Sequence, residues 1–194
     1  MFVTNGRTNY DIVYEELLRE FWEEDKPGNR AAKVTFFGES CVVRQEGIFA
    51  GGRKIDTIGG ILILRYLTHP PGDEITGEWV PYREFRDGAN FASYIKTNIE
   101  DLIAREFSGR AAALAGRLED LGGMVHDSES APDLSMVVYA FPSIPILSIF
   151  WDRDEEFPPS FQFLFDRSAP SFLDMESLAV LLHYFHRKIS AHTA

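Results

Sequence analysis

Carboxylates and aromatic side chains crowd into one stretch of this chain, WDRDEEFPPSFQFLFD, from Trp151 to Asp166. Asp152, Asp154, Glu155 and Glu156 follow an apolar run of strand character, and the ends of strands are where sites are commonly built. Oxygen-rich clusters of this kind suit a hard divalent cation or a cationic group on a partner. They equally suit a solvated connection whose charge keeps a sheet edge from pairing with other chains, and no spaced ligand motif decides between the two. Asp166 ends the aromatic run just before Arg167 and Ser168, so it either caps the ensuing turn through backbone N–H groups or faces a ligand. Glu78 beside Trp79, with Arg83 and Glu84 close by, offers a ring to stack on and charge of both signs, suited to a planar ligand or a peptide. The structural alternative for Arg83 is an ion pair with a neighbouring acid.

Other chemistries find less material. His183 and His186 have a spacing that can bring two imidazoles to one metal on a helix. The helix stripe centred on Leu178, Leu182 and Phe185 turns both toward solvent, and no third ligand stands at a motif spacing. His69 precedes two prolines and His126 precedes Asp127, which reads as two loop residues. No G-x-S-x-G elbow is present, and Cys41 has no charged neighbour to activate its thiol. Gly51-Gly52-Arg53-Lys54 lacks the spacing and the following Ser or Thr of a phosphate-binding loop, and Gly59-Gly60 opens no dinucleotide fingerprint.

These residues belong to a chain of 194 with 45% hydrophobic and 13% aromatic content, enough for one substantial core. A formal net charge of -11 argues against nucleic acid or an anionic membrane as partner, because both attractions need clustered Lys and Arg. The one basic cluster, His186 to Lys188, sits where a helix dipole welcomes cations. A single cysteine rules out an intrachain disulfide and a thiolate cluster site, and its neighbours Val42 and Val43 suggest a buried strand thiol. No charged-then-apolar leader opens the sequence, and the apolar run Ile58 to Leu67 is too short to span a bilayer, so the expected compartment is the cytoplasm.

The elements that must position the candidates follow from periodicity. A helix is expected from about Asn9 to Glu24, capped by Thr8 or Asn9, with Tyr14, Leu17, Leu18 and Phe21 in one stripe and a stop at Lys26-Pro27-Gly28. Lys33 to Phe37, Ser40 to Gln45 and Gly47 to Phe49 read as three small antiparallel strands. Ile58 to Leu67 suits a helix buried all round, whose Arg65 must reach water or a carboxylate, and His69-Pro70-Pro71-Gly72 stops it. Thr76 to Phe85 is extended and broken by Pro81. Gly88 introduces a long helix from about Asn90 to Phe107 with a buried face of Phe91, Tyr94, Ile95, Ile99, Leu102 and Ile103. An alanine-rich helix, Arg110 to Leu121, folds back on it and ends at Gly122-Gly123. Leu134 to Phe141, Ile144 to Trp151 and Ser160 to Phe165 are strands, the second covered on both faces. A helix from about Asp174 to Ile189 closes the chain. The reading is a single α+β domain over residues 1–194: an N-terminal helix and meander to about residue 55, a helical middle, and an antiparallel sheet with the last helix packed on it.

The segments TGEWVPYREF (76–85), FPSIPILSIFWDRDEEFPPSFQFLFDRSA (141–169) and FLDMESLAVL (172–181) resemble the family called domain of unknown function 3786, found chiefly in anaerobic bacteria and archaea. The likeness runs from about Ile58 to Leu182, and the meander between Lys33 and Phe49 matches least. Similar chains carry an additional cysteine-rich iron-sulfur domain like that of corrinoid proteins, which this one-cysteine chain lacks. The resemblance implies a non-catalytic binding or accessory module in anaerobic redox or corrinoid-linked metabolism. The partner it implies is a redox or corrinoid protein, or its cofactor. The expected surface comprises Glu78, Trp79, Arg83 and the Asp152 to Glu156 edge. Two alternatives stand beside it: a metal-dependent or carboxylate-driven enzyme using Asp154, Glu155, Glu156 and Asp166, and a protein that binds a corrinoid or haem directly.

Overall fold

The computed structural model describes residues 8–24, 32–69, 72–128 and 130–190. The expected helix stop at Lys26-Pro27-Gly28 and the prolines after His69 lie outside them. Helix α1 (Asn9–Glu24) opens on a capping box: the Thr8 backbone N–H donates to Asp11 Oδ2 at 2.9 Å and the Asp11 N–H donates to Thr8 Oγ1 at 3.3 Å. Four strands follow as an antiparallel meander, β1 (Lys33–Phe36), β2 (Glu39–Arg44), β3 (Gly47–Ala50) and β4 (Arg53–Lys54), one strand more than the hydrophobic pattern predicts. The extra strand pairs only Phe49 with Lys54 and Ala50 with Arg53, and two charged residues give no apolar signal to find.

The tip of the first hairpin joins the meander to the rest. Phe37 and Gly38 have φ of 46° and 77°, the doubly left-handed turn that matches the twist of a two-residue hairpin. Phe37 occupies this unfavourable region because its ring is buried against Phe185, with centroids 5.1 Å apart, while its N–H donates to Ala140 O at 3.0 Å.

Helix α2 (Thr57–Thr68) starts from Asp56, whose carboxylate accepts from the Gly59 N–H at 3.0 Å, and buries residues 59 through 64. Tyr14 of α1 lies directly on Gly60, where a Cβ would come within 2.4 Å of the ring, so glycine lets the two helices close up. Arg65 finds its carboxylate: its guanidinium donates to Asp174 Oδ2 at 3.1 Å and to Ser177 Oγ at 3.0 Å.

Strand β5 (Trp79–Pro81) is short because Pro81 has no N–H to continue the ladder. Next come helices α3 (Ala89–Ile95) and α4 (Asp101–Phe107), joined without a break by a π-helical turn, Lys96–Glu100. Ile95, Ile99 and Ile103 are buried, but Phe91, Tyr94 and Leu102 are exposed at 37%, 48% and 40%. That corrects the buried face expected from a uniform 3.6-residue period: the wider π turn re-phases the two halves of the helix. Helix α5 (Ala111–Asp120) then leads to β6 (Met124–Val125), β7 (Leu134–Phe141), β8 (Ile144–Trp151) and β9 (Ser160–Asp166).

These strands form a second antiparallel sheet in the order β5-β9-β8-β7-β6, with β8 at its centre and buried along almost its whole length. Phe161, Phe163 and Phe165 share the buried face of β9, where Phe163 meets Phe185 of helix α6 (Met175–Ser190) at 5.0 Å and Phe165 meets Tyr82 and Phe85. Gln162, Leu164 and Asp166 alternate to the other side, where Trp79, Val137, Leu147, Ile149, Trp151 and Leu164 make a smaller cluster. One continuous core spans both sheets and α6, so the protein is a single α+β domain with the last helix packed on the sheet. Among the described residues no helix is long and apolar enough to cross a membrane.

Candidate functional site

The sequence-predicted residues separate into two groups at opposite ends of β9. Trp79 pairs with Asp166 and Trp151 pairs with Ser160, so Glu78, Trp79, Arg83 and Asp166 stand about 20 Å along the strand from the acidic edge. Asp166 is fully buried. It accepts from the Thr76 N–H and Oγ1 at 3.0 Å each, the Gly77 N–H at 2.6 Å, and the Ser168 N–H and Oγ at 2.9 and 2.6 Å. Burial pushes its carboxyl up, but the bonds from Ser168, Thr76 and Gly77 together outweigh that and hold it below the ordinary range. The carboxylate caps the turn at Ser168 and ties the segment before β5 to the end of β9.

Around it, Glu78 pairs with Arg167 at 2.6 Å, a contact that lowers the Glu78 carboxyl, while Arg83 is exposed on a 3-10 turn and forms no ion pair among the described residues. Trp79 is half-buried. It meets the His126 ring edge to face, 5.7 Å between centroids, although the two come from opposite edges of the sheet.

At the other end, Asp152 Oδ1 accepts from the Gly109 and Arg153 N–H groups at 2.7 Å each. Asp154 Oδ1 accepts from the Glu156 and Phe157 N–H groups at 2.8 and 2.7 Å, and these bonds lower its carboxyl. Glu155 and Glu156 are exposed. With Arg105, Arg153 and the 67% exposed Phe157 they border a shallow hollow of about 720 Å³. Among the described residues no three His, Cys, Asp or Glu side chains gather so as to hold a metal ion.

The imidazoles of α6 part company. His183 is exposed as expected, but His186 turns inward, its side chain 15% exposed and 3.8 Å from Glu106. Helix α4 lies beside α6 there, so burial lowers the His186 pKa while Glu106 pulls the other way. Cys41 is a buried strand thiol, and burial with the Glu39 charge pushes it up to about 11.

A groove that no candidate foretold runs along the outer face of α6. Glu176, Ala179, Val180, His183 and Arg187 share that face at helical spacing and line a hollow of about 700 Å³. Tyr10 and Ile58 form one wall, and Asn90, Phe91 and Tyr94 form the other. From Glu176 to Arg187 the floor extends about 16 Å. Ala179, small and at mid-floor, leaves the space, while Tyr10 at 53%, Phe91 at 37% and Tyr94 at 48% exposure stand around the rim. Large aromatic rings left in water beside a concave floor that is apolar at Ala179 and Val180 and polar at Glu176, His183 and Arg187 are what ligand sites use for contact and orientation. The sequence signal was present in α6, whose one alanine, Ala179, stands between Leu178 and Val180, but the aromatic wall depended on the π turn.

A second hollow of about 300 Å³ adjoins the groove, sharing Tyr184 and Arg187 with it. Arg53, Lys54, Arg187 and Lys188 line it, together with Glu39 and Asp56. Glu39 takes Arg53 at 3.1 Å and Lys188 at 2.7 Å, Asp56 takes Arg187 at 2.5 Å, and Lys54 forms no ion pair among the described residues. The Arg187 guanidinium lies 4.7 Å over the Tyr184 ring.

No curated protein and no solved structure matches the chain. The family model described as Domain of unknown function (DUF3786) matches residues 21–188, nearly the whole length, and its span takes in the meander, both sheets and α6. The chain therefore belongs to the domain of unknown function 3786 family.

Proposed function

We propose that this protein is a non-catalytic binding module, accessory to anaerobic redox or corrinoid-linked metabolism in the cytoplasm, and that its ligand occupies the groove along α6. The observation that carries the reading is the conjunction of an apolar floor at Ala179 and Val180 with exposed Tyr10, Phe91 and Tyr94 around a hollow of about 700 Å³. The three rings are 37–53% exposed, so covering one against a ligand face is worth about 1 kcal/mol, and three together support the binding of a planar body. Calorimetric titration with 1-naphthol, a neutral planar probe, tests it. The parent should bind, and the double variant Phe91→Ala/Tyr94→Ala should bind at least roughly tenfold more weakly. Equal binding by both proteins would remove the groove from the account.

A second contact is supported by Phe157, an apolar knob at 67% exposure ringed by Asp154, Glu155 and Glu156. That arrangement suits a protein partner with a basic rim, such as the redox or corrinoid protein that the family likeness implies. The variant Glu155→Lys/Glu156→Lys should lose such a partner from oxygen-free lysate. Unchanged recovery would strip the acidic edge of this role.

A further inference from the structure

The groove and its neighbouring hollow differ in chemistry and share one boundary. The hollow carries three cationic side chains, Arg53, Arg187 and Lys188, against two carboxylates, Glu39 and Asp56, a local excess of one positive charge, while Lys54 pairs with Phe49 on the other face of the hairpin and sends its ammonium over Gly47. The whole chain carries a net charge of -11, so this excess is a local reversal of sign. Both carboxylates are already engaged: Glu39 is shared by two cations, and Asp56 holds Arg187 with one oxygen while its other oxygen accepts from the Gly59 N–H. Low-dielectric walls focus the field of such charges into the cleft.

We infer that the ligand of the groove is a planar apolar molecule bearing a phosphate-type anion, with its body between Tyr10, Phe91 and Tyr94 and its anionic head in the cationic cleft beyond Tyr184 and Arg187. This rests on the groove being the binding site. A negatively charged head matches the sign of the local excess. Guanidinium groups bind phosphate oxygens through several N–H donors; Arg53 and Arg187 each hold a carboxylate through Nη2, so their remaining donors can serve the head, and Lys188 adds a point charge. Arg187 stands at the junction, stacked on Tyr184 and half exposed at 50%, where body and head of the ligand would meet.

The test compares three probes by calorimetry on the intact protein: 1-naphthol, 1-naphthyl phosphate and inorganic phosphate. The parent should bind naphthyl phosphate at least roughly tenfold more tightly than naphthol, since hydrogen bonds to a charged group contribute at that level. Inorganic phosphate alone should bind more weakly than naphthyl phosphate. The variant Arg53→Ala/Lys188→Ala should lose the advantage of the phosphate while binding naphthol as before, and raising salt should shrink that advantage in the parent. If naphthol binds and the phosphate brings no gain, the head assignment falls and the groove stands. Failure of all three probes to bind overturns both. An advantage that survives in the Arg53→Ala/Lys188→Ala variant overturns the placement of the head.

Discussion

Replacing Asp166 gives the sharpest check on how this fold is held. Its carboxylate accepts five hydrogen bonds from Thr76, Gly77 and Ser168 with no exposure to water. In Asp166→Ala the Ser168 N–H loses its partner inside the protein, and the Thr76–Gly77 segment loses its tie to the end of β9. Leaving buried donors unmet costs about 1–3 kcal/mol each, and water can recover some at Thr76, so the net loss should be about 3–5 kcal/mol. Asp166→Asn is milder in shape but sets an amide donor against the Gly77 N–H, which stands 2.6 Å from Oδ2 in the parent. Its cost should be about 2–3 kcal/mol.

For a chain of this size each kcal/mol lowers the melting temperature by about 2–4 °C, so the alanine variant should melt roughly 6–20 °C lower. Urea titration of parent, both variants and the exposed control Glu155→Ala measures the differences. Linkage adds a second signature. The folded carboxyl lies below its unfolded value, so its contribution is complete above about pH 4 and is lost as pH falls through the folded pKa. The gap between parent and Asp166→Asn should therefore be flat near neutrality and narrow in acid. A loss under about 1 kcal/mol for Asp166→Ala, no larger than the control's, would refute the reasoning.

Three further outcomes follow from the same geometry. Gly60→Ala drives a methyl toward the Tyr14 ring, 2.4 Å away, and should cost about 1–3 kcal/mol in chemical denaturation. Glu100 is buried on the π turn, and burial raises its carboxyl although its Oε1 accepts from the Phe163 N–H at 2.9 Å. A raised acid weakens the fold as pH climbs above its unfolded value near 4.3, so Glu100→Gln, which keeps the acceptor, should melt higher than the parent at neutral pH and lose that advantage in acid. Arg65→Met removes donors from Asp174 and Ser177 at a partly exposed pair, and should cost about 1 kcal/mol by calorimetric melting.

Much of the architecture could be read from the chain because period and punctuation agreed. The three long strands β7, β8 and β9 fall where alternation and apolar runs put them, and α6 starts at the Asp174 cap. Arg65 reached a carboxylate because an apolar helix leaves a guanidinium little else. The failures have physical causes. Strands β4 and β6 are two residues long, too short for a period to show. The wide turn at Lys96–Glu100 broke the helical period, and with it the expectation that Phe91, Tyr94 and Leu102 were buried. His186 turned inward because α4 lies alongside α6, a packing that no local pattern encodes.

The candidate site was less legible than the fold. Acidic residues drew attention to Asp152 through Glu156, yet Asp152 ties the strand end to Gly109 and Asp154 spends an oxygen on its own turn, and β9 separates this edge from Glu78 and Trp79. The groove on α6 is assembled from α1, α2, α3 and α6, with Tyr10 and Tyr94 more than eighty positions apart in the chain. Gly51-Gly52-Arg53-Lys54 failed as a phosphate loop by spacing, but the structure brings its Arg53 beside Lys188 of the last helix, the two sharing Glu39.

The groove itself is tested most directly by mapping amide and methyl chemical shifts of labelled protein during titration with 1-naphthol. The account predicts changes confined to Tyr10, Ile58, Phe91, Tyr94, Ala179, Val180 and His183. Changes centred on Trp79 or on Asp152 to Glu156, with the α6 face silent, would contradict it.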